Sequence, residues 1–368
     1  MRLNSIYLRD FRNYADTRAS FVPGVNLLVG GNANGKTNLL EAIFYLSTGH
    51  AFRTRREQEL IRFGAEFAEL SAEVTAQERE QMLRAVLFSG RRPRQLWLNG
   101  VRQKTAAEFT GVVHCVLFCP EDLLVLKKGA APRRKLLDTM ICQLRPNYEA
   151  ALTEYQRLLE QKSALLRDRF ETPGLLEILP EYNERMAQVG ALLISYRARY
   201  LRSLEQTAAA FHAEFSGGAE TLTLVYRTVS TVDDPFAPPE TLREKLREHQ
   251  RTHRSAELES GQCLSGPHRD DFEAALNGLP VGAFASQGQT RTAAISIKLA
   301  ERELMRRDTG EEPVLLLDDV LSELDAGRQD FVLNQLKSGQ VFITCCETDR
   351  LTRLGQALTI QNGGIGGE

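Results

Sequence analysis

The chain has 368 residues, of which 42% are hydrophobic and 26% charged, and its formal net charge is −2. That length allows two or three domains and a large core, and the composition excludes a disordered or fibrous chain. Near-neutral charge excludes an overall basic protein, so any nucleic-acid surface is a local patch.

Residues 1–30 read as short strands. Ile6 and Leu8 alternate with polar residues, and a turn at Arg9-Asp10-Phe11-Arg12-Asn13-Tyr14 leads to a second run ending near Phe21-Val22. Pro23-Gly24 marks the next turn. Arg12 and Asn13 read equally as nucleotide contacts or as a solvated turn. The apolar run Val25-Asn26-Leu27-Leu28-Val29 then enters Gly30-Gly31-Asn32-Ala33-Asn34-Gly35-Lys36-Thr37, followed by Asn38 and a segment with Leu39, Leu40, Ile43 and Leu46 on one helical face. Strand, GxxxxGK[ST] loop and helix together are the context of a phosphate-binding P-loop. Its N–H groups wrap phosphate oxygens, and glycine lets the backbone come close. Lys36 is expected to reach the β- and γ-phosphates and the Thr37 hydroxyl to ligate Mg²⁺.

Residues 50–145 read as a mostly β lobe, with Asn99-Gly100 as a hairpin turn between short β-like runs. The lobe carries basic clusters at Arg53, Arg55 and Arg56, at Arg91, Arg92 and Arg94, and at Lys127 and Lys128. Such clusters track a phosphate backbone or simply form a solvated face. Val112 to Phe118 reads as a buried strand. Residues 146–215 recur at three- and four-residue steps with a break at Thr172-Pro173-Gly174, a helical hairpin whose first arm is roughly 25 residues, or about 40 Å. A strand at 221–229, a linker and a charged helix at 240–254 follow. The tail 362–368 is glycine-rich and expected to be disordered. The start, Met1-Arg2-Leu3-Asn4-Ser5, lacks the apolar stretch of a signal peptide, and no apolar run reaches the roughly 18 residues of a membrane span, so a cytoplasmic protein without a membrane partner is expected. The six cysteines form no CxxC pair and suit reduced, packed thiols.

Near the C-terminal end, Pro313-Val314-Leu315-Leu316-Leu317-Asp318-Asp319 is an apolar strand ending in two acids. In a P-loop protein the first acid holds Mg²⁺ and the second orients or deprotonates the attacking water. Asp319 is short for that role, which implies slow hydrolysis. Lys36 and Asp318 sit at opposite ends of the chain, so one ATPase core is split, with the helical arm inserted. The expected division is 1–145, 146–255 and 256–368. Ala285-Ser286-Gln287-Gly288-Gln289 precedes a helix with Ala293, Ile297, Ala300 and Leu304 on one face, an arrangement suited to an anion.

The P-loop, Ser286-Gln287-Gly288-Gln289, Asp318-Asp319 and Ser322-Glu323-Leu324-Asp325, in this order, resemble an ABC-type ATPase head, an α/β fold with a mixed sheet and an antiparallel β lobe. The resemblance is nearly full-length to the RecF family through Leu8 to Tyr14, Phe118-Cys119-Pro120-Glu121-Asp122-Leu123 and Ser265-Gly266-Pro267-His268-Arg269-Asp270-Asp271-Phe272. It implies that Gly30–Thr37 is Walker A and Asp318-Asp319 Walker B, with Asp319 and Lys36 catalytic. It implies that Ser286 to Gln289 is a signature touching ATP on the opposite subunit, and that Asp325 closes a dimer interface. The implied activity is slow, DNA-dependent ATP hydrolysis by an ATP-induced homodimer. The implied partners are double-stranded and gapped DNA and mediators of the RecR and RecO type. A transporter ATPase subunit, a P-loop phosphotransferase and an ATP-binding DNA tether are the alternatives. Transporter-type heads carry a histidine after Walker B; here the strand end reads Thr344-Cys345-Cys346-Glu347, where RecF proteins usually show small hydroxyl residues. His268 is either a replacement sensor or a structural histidine.

Overall fold

A computed structural model describes residues 1–54, 56–170, 173–336, 338–346 and 353–367. The chain divides into two compact units, one formed by Met1–Leu124 with Ala294–Glu368 and the other by Val125–Ala293.

The first unit begins with β1 (Arg2–Phe11), β2 (Tyr14–Ser20) and β3 (Val25–Val29), then α1 (Lys36–Thr48). A second group follows: β4 (Phe67–Ala76), β5 (Arg79–Phe88), β6 (Gln95–Leu98), β7 (Val101–Arg102) and β8 (Cys115–Phe118). One antiparallel sheet runs β2-β1-β4-β5-β6-β7. Its strands alternate, with Leu3, Ile6, Leu8, Leu70, Val74, Leu83 and Ala85 turned to the core. The β6–β7 turn places Asn99 and Gly100 at φ 51° and 79°, the paired positive values a two-residue hairpin requires. Helix α1 is apolar around its circumference, and Leu39, Leu40, Ala42, Ile43, Phe44, Tyr45 and Leu46 are all buried.

The second unit starts with α2 (Ala130–Leu144), so the β lobe ends earlier than the sequence reading placed it. The boundaries at 124 and 293 also differ from the expected 145 and 255. Helix α2 packs on the hairpin α3 (Pro146–Arg167) and α4 (Leu179–Ser216), whose first arm is 22 residues long. Gly217, at φ 61°, ends α4 in a left-handed cap. Next come β9 (Leu222–Arg227), α5 (Pro239–Thr252), α6 (Arg254–Ser260), β10 (Asp271–Leu276), β11 (Leu279–Pro280) and the short α7 (Val281–Phe284). Strands β9, β10 and β11 form a small antiparallel sheet.

Helix α8 (Gln287–Thr309) begins in the second unit and ends in the first. The first unit is then completed by β12 (Val314–Leu317), α9 (Ala326–Asn334), β13 (Val341–Cys345), β14 (Gly355–Gln361) and β15 (Gly364–Gly367). Its second sheet runs β15-β14-β3-β13-β12-β8, parallel except for β15. The tail is therefore an edge strand up to Gly367, not a disordered segment. Asn362 and Gly363, at φ 51° and 78°, make the same hairpin turn as Asn99 and Gly100, and the Thr17 hydroxyl donates to the Gly363 carbonyl at 2.8 Å.

Candidate functional site

The P-loop leaves the C-terminal end of β3 and closes onto the start of α1. Gly35 sits at φ 116°, and a Cβ there would lie 2.6 Å from the Asn13 amide. Only glycine meets both conditions. Asn13 braces the loop: its Nδ2 donates to the Asn34 carbonyl at 2.9 Å, and its Oδ1 accepts from Asn38 at 2.8 Å. The Tyr14 hydroxyl donates to the Gly35 carbonyl at 2.9 Å. Arg12, itself at φ 52°, donates to the buried Glu41 at 2.9 Å and to the Glu59 carbonyl at 2.8 Å. The turn at Arg12 and Asn13 is thus an ordered scaffold of the loop. Glu41, which anchors it, was not singled out from the sequence, because a lone acid in an apolar helix has no local pattern.

Lys36 is buried, and its ammonium donates to the Gly30 and Gly31 carbonyls at 2.7 and 3.1 Å. The charge thus lies inside the loop with its neutral carbonyl partners. The Cys346 thiol is 3.7 Å from the Lys36 ammonium and donates to Asn32 Oδ1 at 3.2 Å. Glu347, Thr348 and Asp349 lie outside the described residues.

The two acids meet the loop from β12. The Thr37 hydroxyl donates to Asp318 Oδ1 at 2.8 Å. Asp318 is 6% exposed, and burial raises its carboxyl above the usual range, against the pull of the Thr37 hydrogen bond. A desolvated carboxylate beside a hydroxyl is a donor set that fits a hard divalent cation completed by phosphate and water oxygens. Asp319 sits at φ 50°, a left-handed position that Asp tolerates better than most residues. Thr344 on β13 holds it: its hydroxyl accepts from the Asp319 amide at 2.7 Å and lies 3.0 Å from Asp319 Oδ1 and 3.3 Å from Asp318 Oδ1. Thr344 was also missed. The signal was present as a hydroxyl in the otherwise apolar run Val341-Phe342-Ile343.

Ser286 and Gln289 form a reciprocal cap at the start of α8. The Ser286 amide donates to Gln289 Oε1 at 2.9 Å, and the Gln289 amide donates to Ser286 Oγ at 3.2 Å. Gln289 is further held by Glu220 at 2.7 Å. Ser286 and Gln287 are exposed. Asp325 caps α9 by accepting from the Arg328 amide at 3.0 Å and pairs with its guanidinium, which together hold its carboxyl below the usual range.

The basic residues are treated unequally. Arg53 is exposed and donates to Asn38 at 3.2 Å, beside the loop. Arg56, Arg91, Arg92 and Lys128 are exposed. Arg94 is turned inward, to Glu57, the Tyr45 hydroxyl at 3.1 Å and the Gly49 carbonyl, so its charge is not offered to a ligand. Lys127 donates to the Ala285 carbonyl at 3.0 Å. Arg55 lies outside the described residues. His268 is half-buried in the second unit with both ring nitrogens engaged, Nδ1 with the Tyr155 hydroxyl at 2.9 Å and Nε2 with the Cys263 carbonyl at 3.1 Å. It is a structural histidine. Among the described residues no helix is long and apolar enough to cross a membrane.

A family model described as the RecF/RecN/SMC N terminal domain matches residues 2–363. The DNA replication and repair protein RecF of Listeria welshimeri is 39% identical over 366 residues, covering 98% of this chain and 97% of its own length. That of Lactobacillus johnsonii is 37% identical over 354 residues, covering 96% and 94%. A solved structure described as the recombination mediator protein RecF-ATPrS in the RecFOR pathway superposes with a TM-score of 0.92 at 34% identity, covering 100% of this chain and 98% of the other. An Smc head bound to the C-winged helix domain of ScpA shares the fold, with a TM-score of 0.56 at 16% identity over 99% and 96% of the two chains. The P-loop after β3, facing two acids at the end of β12 across the intervening β13, is thus the head of an ABC-type ATPase, and the chain belongs to the RecF family.

Proposed function

We propose that this chain is an ATP-dependent DNA-binding protein of recombinational gap repair. Two copies sandwich two ATP molecules. The ATP-bound dimer clamps duplex or duplex–single-strand junction DNA, and slow hydrolysis releases it. With RecO- and RecR-type mediators it helps load a recombinase. The observation that carries the reading is the 2.8 Å contact of Thr37 with Asp318, with Thr344 joining Asp318 to Asp319. The names of the relatives and of the RecF-ATPrS structure support the biological setting.

The loop amides from Gly30 to Thr37 and the N-terminal end of α1 bind the phosphates. The Lys36 ammonium, already inside the loop, meets the β- and γ-phosphate oxygens. Thr37 and Asp318 would hold Mg²⁺, which supplies charge neutralisation on the phosphates. Asp319, fixed by Thr344, orients the attacking water and accepts its proton. Ser286 and the amides at the start of α8 offer a second anion site, which meets the γ-phosphate bound to the other copy. Asp325 lies along the same interface. Binding energy for the triphosphate favours the closed dimer, and loss of the γ-phosphate withdraws it.

Sedimentation with a labelled gapped duplex tests this. A monomer should become a DNA-bound dimer only with ATP and Mg²⁺. Asp319→Asn should lower turnover by about 100-fold or more and persist as the dimer. Ser286→Arg should bind ATP and remain monomeric; normal dimerisation by that variant would overturn the sandwich.

A further inference from the structure

The solvent face of the first unit's antiparallel sheet carries a row that crosses all six strands. In register it reads Arg18, Tyr7, Ser71, Arg84, Trp97 and Arg102. Direct cross-strand partners share a face, so these side chains stand on one surface about 24 Å wide at the usual strand spacing. Arg18 lies over the Tyr7 ring at 4.9 Å, and Arg84 over the Trp97 ring at 4.8 Å. One end of the face is a recess of about 780 Å³. There Arg9 lies over Phe67 at 5.3 Å and Arg92 over Phe88 at 4.2 Å. Four arginine–aromatic stacks on one sheet face are more than solubility requires.

We propose that this face is a platform for single-stranded DNA. The proposal rests on the reading of the chain as a DNA-binding protein and names the surface that takes the unpaired strand. Single strands are bound by aromatic and guanidinium planes on which bases stack, combined with cations that follow the phosphates. Each pair here places a guanidinium over a ring on the solvent face, where the group has a plane on which a base stacks and N–H edges that bond a phosphate. Among the described residues Arg9, Arg18, Arg92 and Arg102 form no ion pair with the protein, so their charge is available. The recess also holds Glu66 and Glu69. Glu69 accepts from Arg84 at 2.6 Å, a bond that a phosphate replaces at the same guanidinium. Arg91, exposed beside Arg92, adds charge at the rim.

Trp97 is the chain's only tryptophan, so it reports directly on its own surface. Oligothymidylate added to the full-length protein should quench Trp97 emission, and salt should reverse the quenching. Arg84→Ala combined with Arg92→Ala should weaken binding of labelled oligothymidylate roughly tenfold, by fluorescence anisotropy. The same variant should bind ATP and sediment with ATP as the wild type does. Trp97→Phe, which keeps a ring, should retain binding. Oligothymidylate binding with unchanged Trp97 emission, or an undiminished affinity of the arginine variant, overturns the platform while leaving the ATP-gated reading intact. Stronger quenching by polyglutamate than by oligothymidylate also overturns it and marks a protein-docking face. Failure of both gapped duplex and oligothymidylate to bind would instead defeat the reading of the protein as a DNA binder.

Discussion

Arg197 in the second unit and Asp318 in the first are both buried charges, and their surroundings are opposite. Arg197 makes a two-pronged pair with Asp138 at 2.8 and 2.9 Å and donates to the Pro267 carbonyl at 2.7 Å and to Asp270 at 3.3 Å. Tyr148 and Tyr226 complete the cluster through hydroxyl bonds to the two aspartates. Every direction of the guanidinium is answered from within the unit. Asp318 has hydroxyls for neighbours and a second acid beside it, with no cation in direct contact among the described residues. The first charge is closed and structural. The second is left for a ligand to complete.

Three changes sharpen this contrast. Arg197→Met should be the most damaging, because it takes the paired cation from the buried Asp270 and the half-buried Asp138. The expected loss is about 3–5 kcal/mol, read as a shift of the urea midpoint; a loss below about 1 kcal/mol would mean that the cluster is not closed. Next is the pH response of His268. Burial depresses its folded pKa to about 4 from an ordinary 6.5. Between these values the unfolded chain binds a proton that the folded chain does not, so stability falls as pH drops from about 6.5 toward 4. The loss amounts to about 3 kcal/mol at the lower end. His268→Gln should flatten that slope relative to wild type; an identical slope would show that the ring is not held neutral. The smallest effect is expected at the open site. Asp318 has a raised carboxyl pKa, so above it the nucleotide-free protein carries an ionised buried acid at a cost. Asp318→Asn removes that cost, and the thermal midpoint without nucleotide should rise by about 1–2 °C. The further rise that ATP and Mg²⁺ give the wild type should disappear. A lower midpoint would show that Asp318 is already satisfied.

The contrast also explains what could be read in advance. The P-loop was legible because its function demands fixed spacing within eight consecutive positions, and Asp318-Asp319 because an apolar strand ends in adjacent acids. Partners distant in sequence were not. Arg12 finds Glu41, Arg94 finds Glu57, and Thr344 finds Asp319 only after the strands have paired. Arg94 illustrates the cost of reading charge without pairing, since an arginine in a basic run can as well be an internal brace. The tail is a different kind of miss. Asn362-Gly363 carries the same turn signal as Asn99-Gly100, but the surrounding glycines suggested disorder, and β14, the neighbour that pairs with them, is not evident from their own sequence. The stretch from Ser265 to Phe272 supported the family resemblance, yet its residues serve packing: a Cβ on Gly266 would lie 2.1 Å from the Tyr155 hydroxyl, and Pro267 and Asp270 hold Arg197.

The order of the parallel sheet has a consequence for how the chain is made. Strand β3, which carries the P-loop, lies between β13 and β14, both drawn from the last part of the sequence. As the nascent polypeptide leaves the ribosome, β3 emerges early and has neither neighbour. The second unit is one continuous segment and can fold while synthesis goes on. The nucleotide cradle cannot close until residues 341–361 have been translated. A chain released early would carry an intact P-loop sequence and no sheet to hold it, so competence for ATP doubles as a check that translation has reached β14.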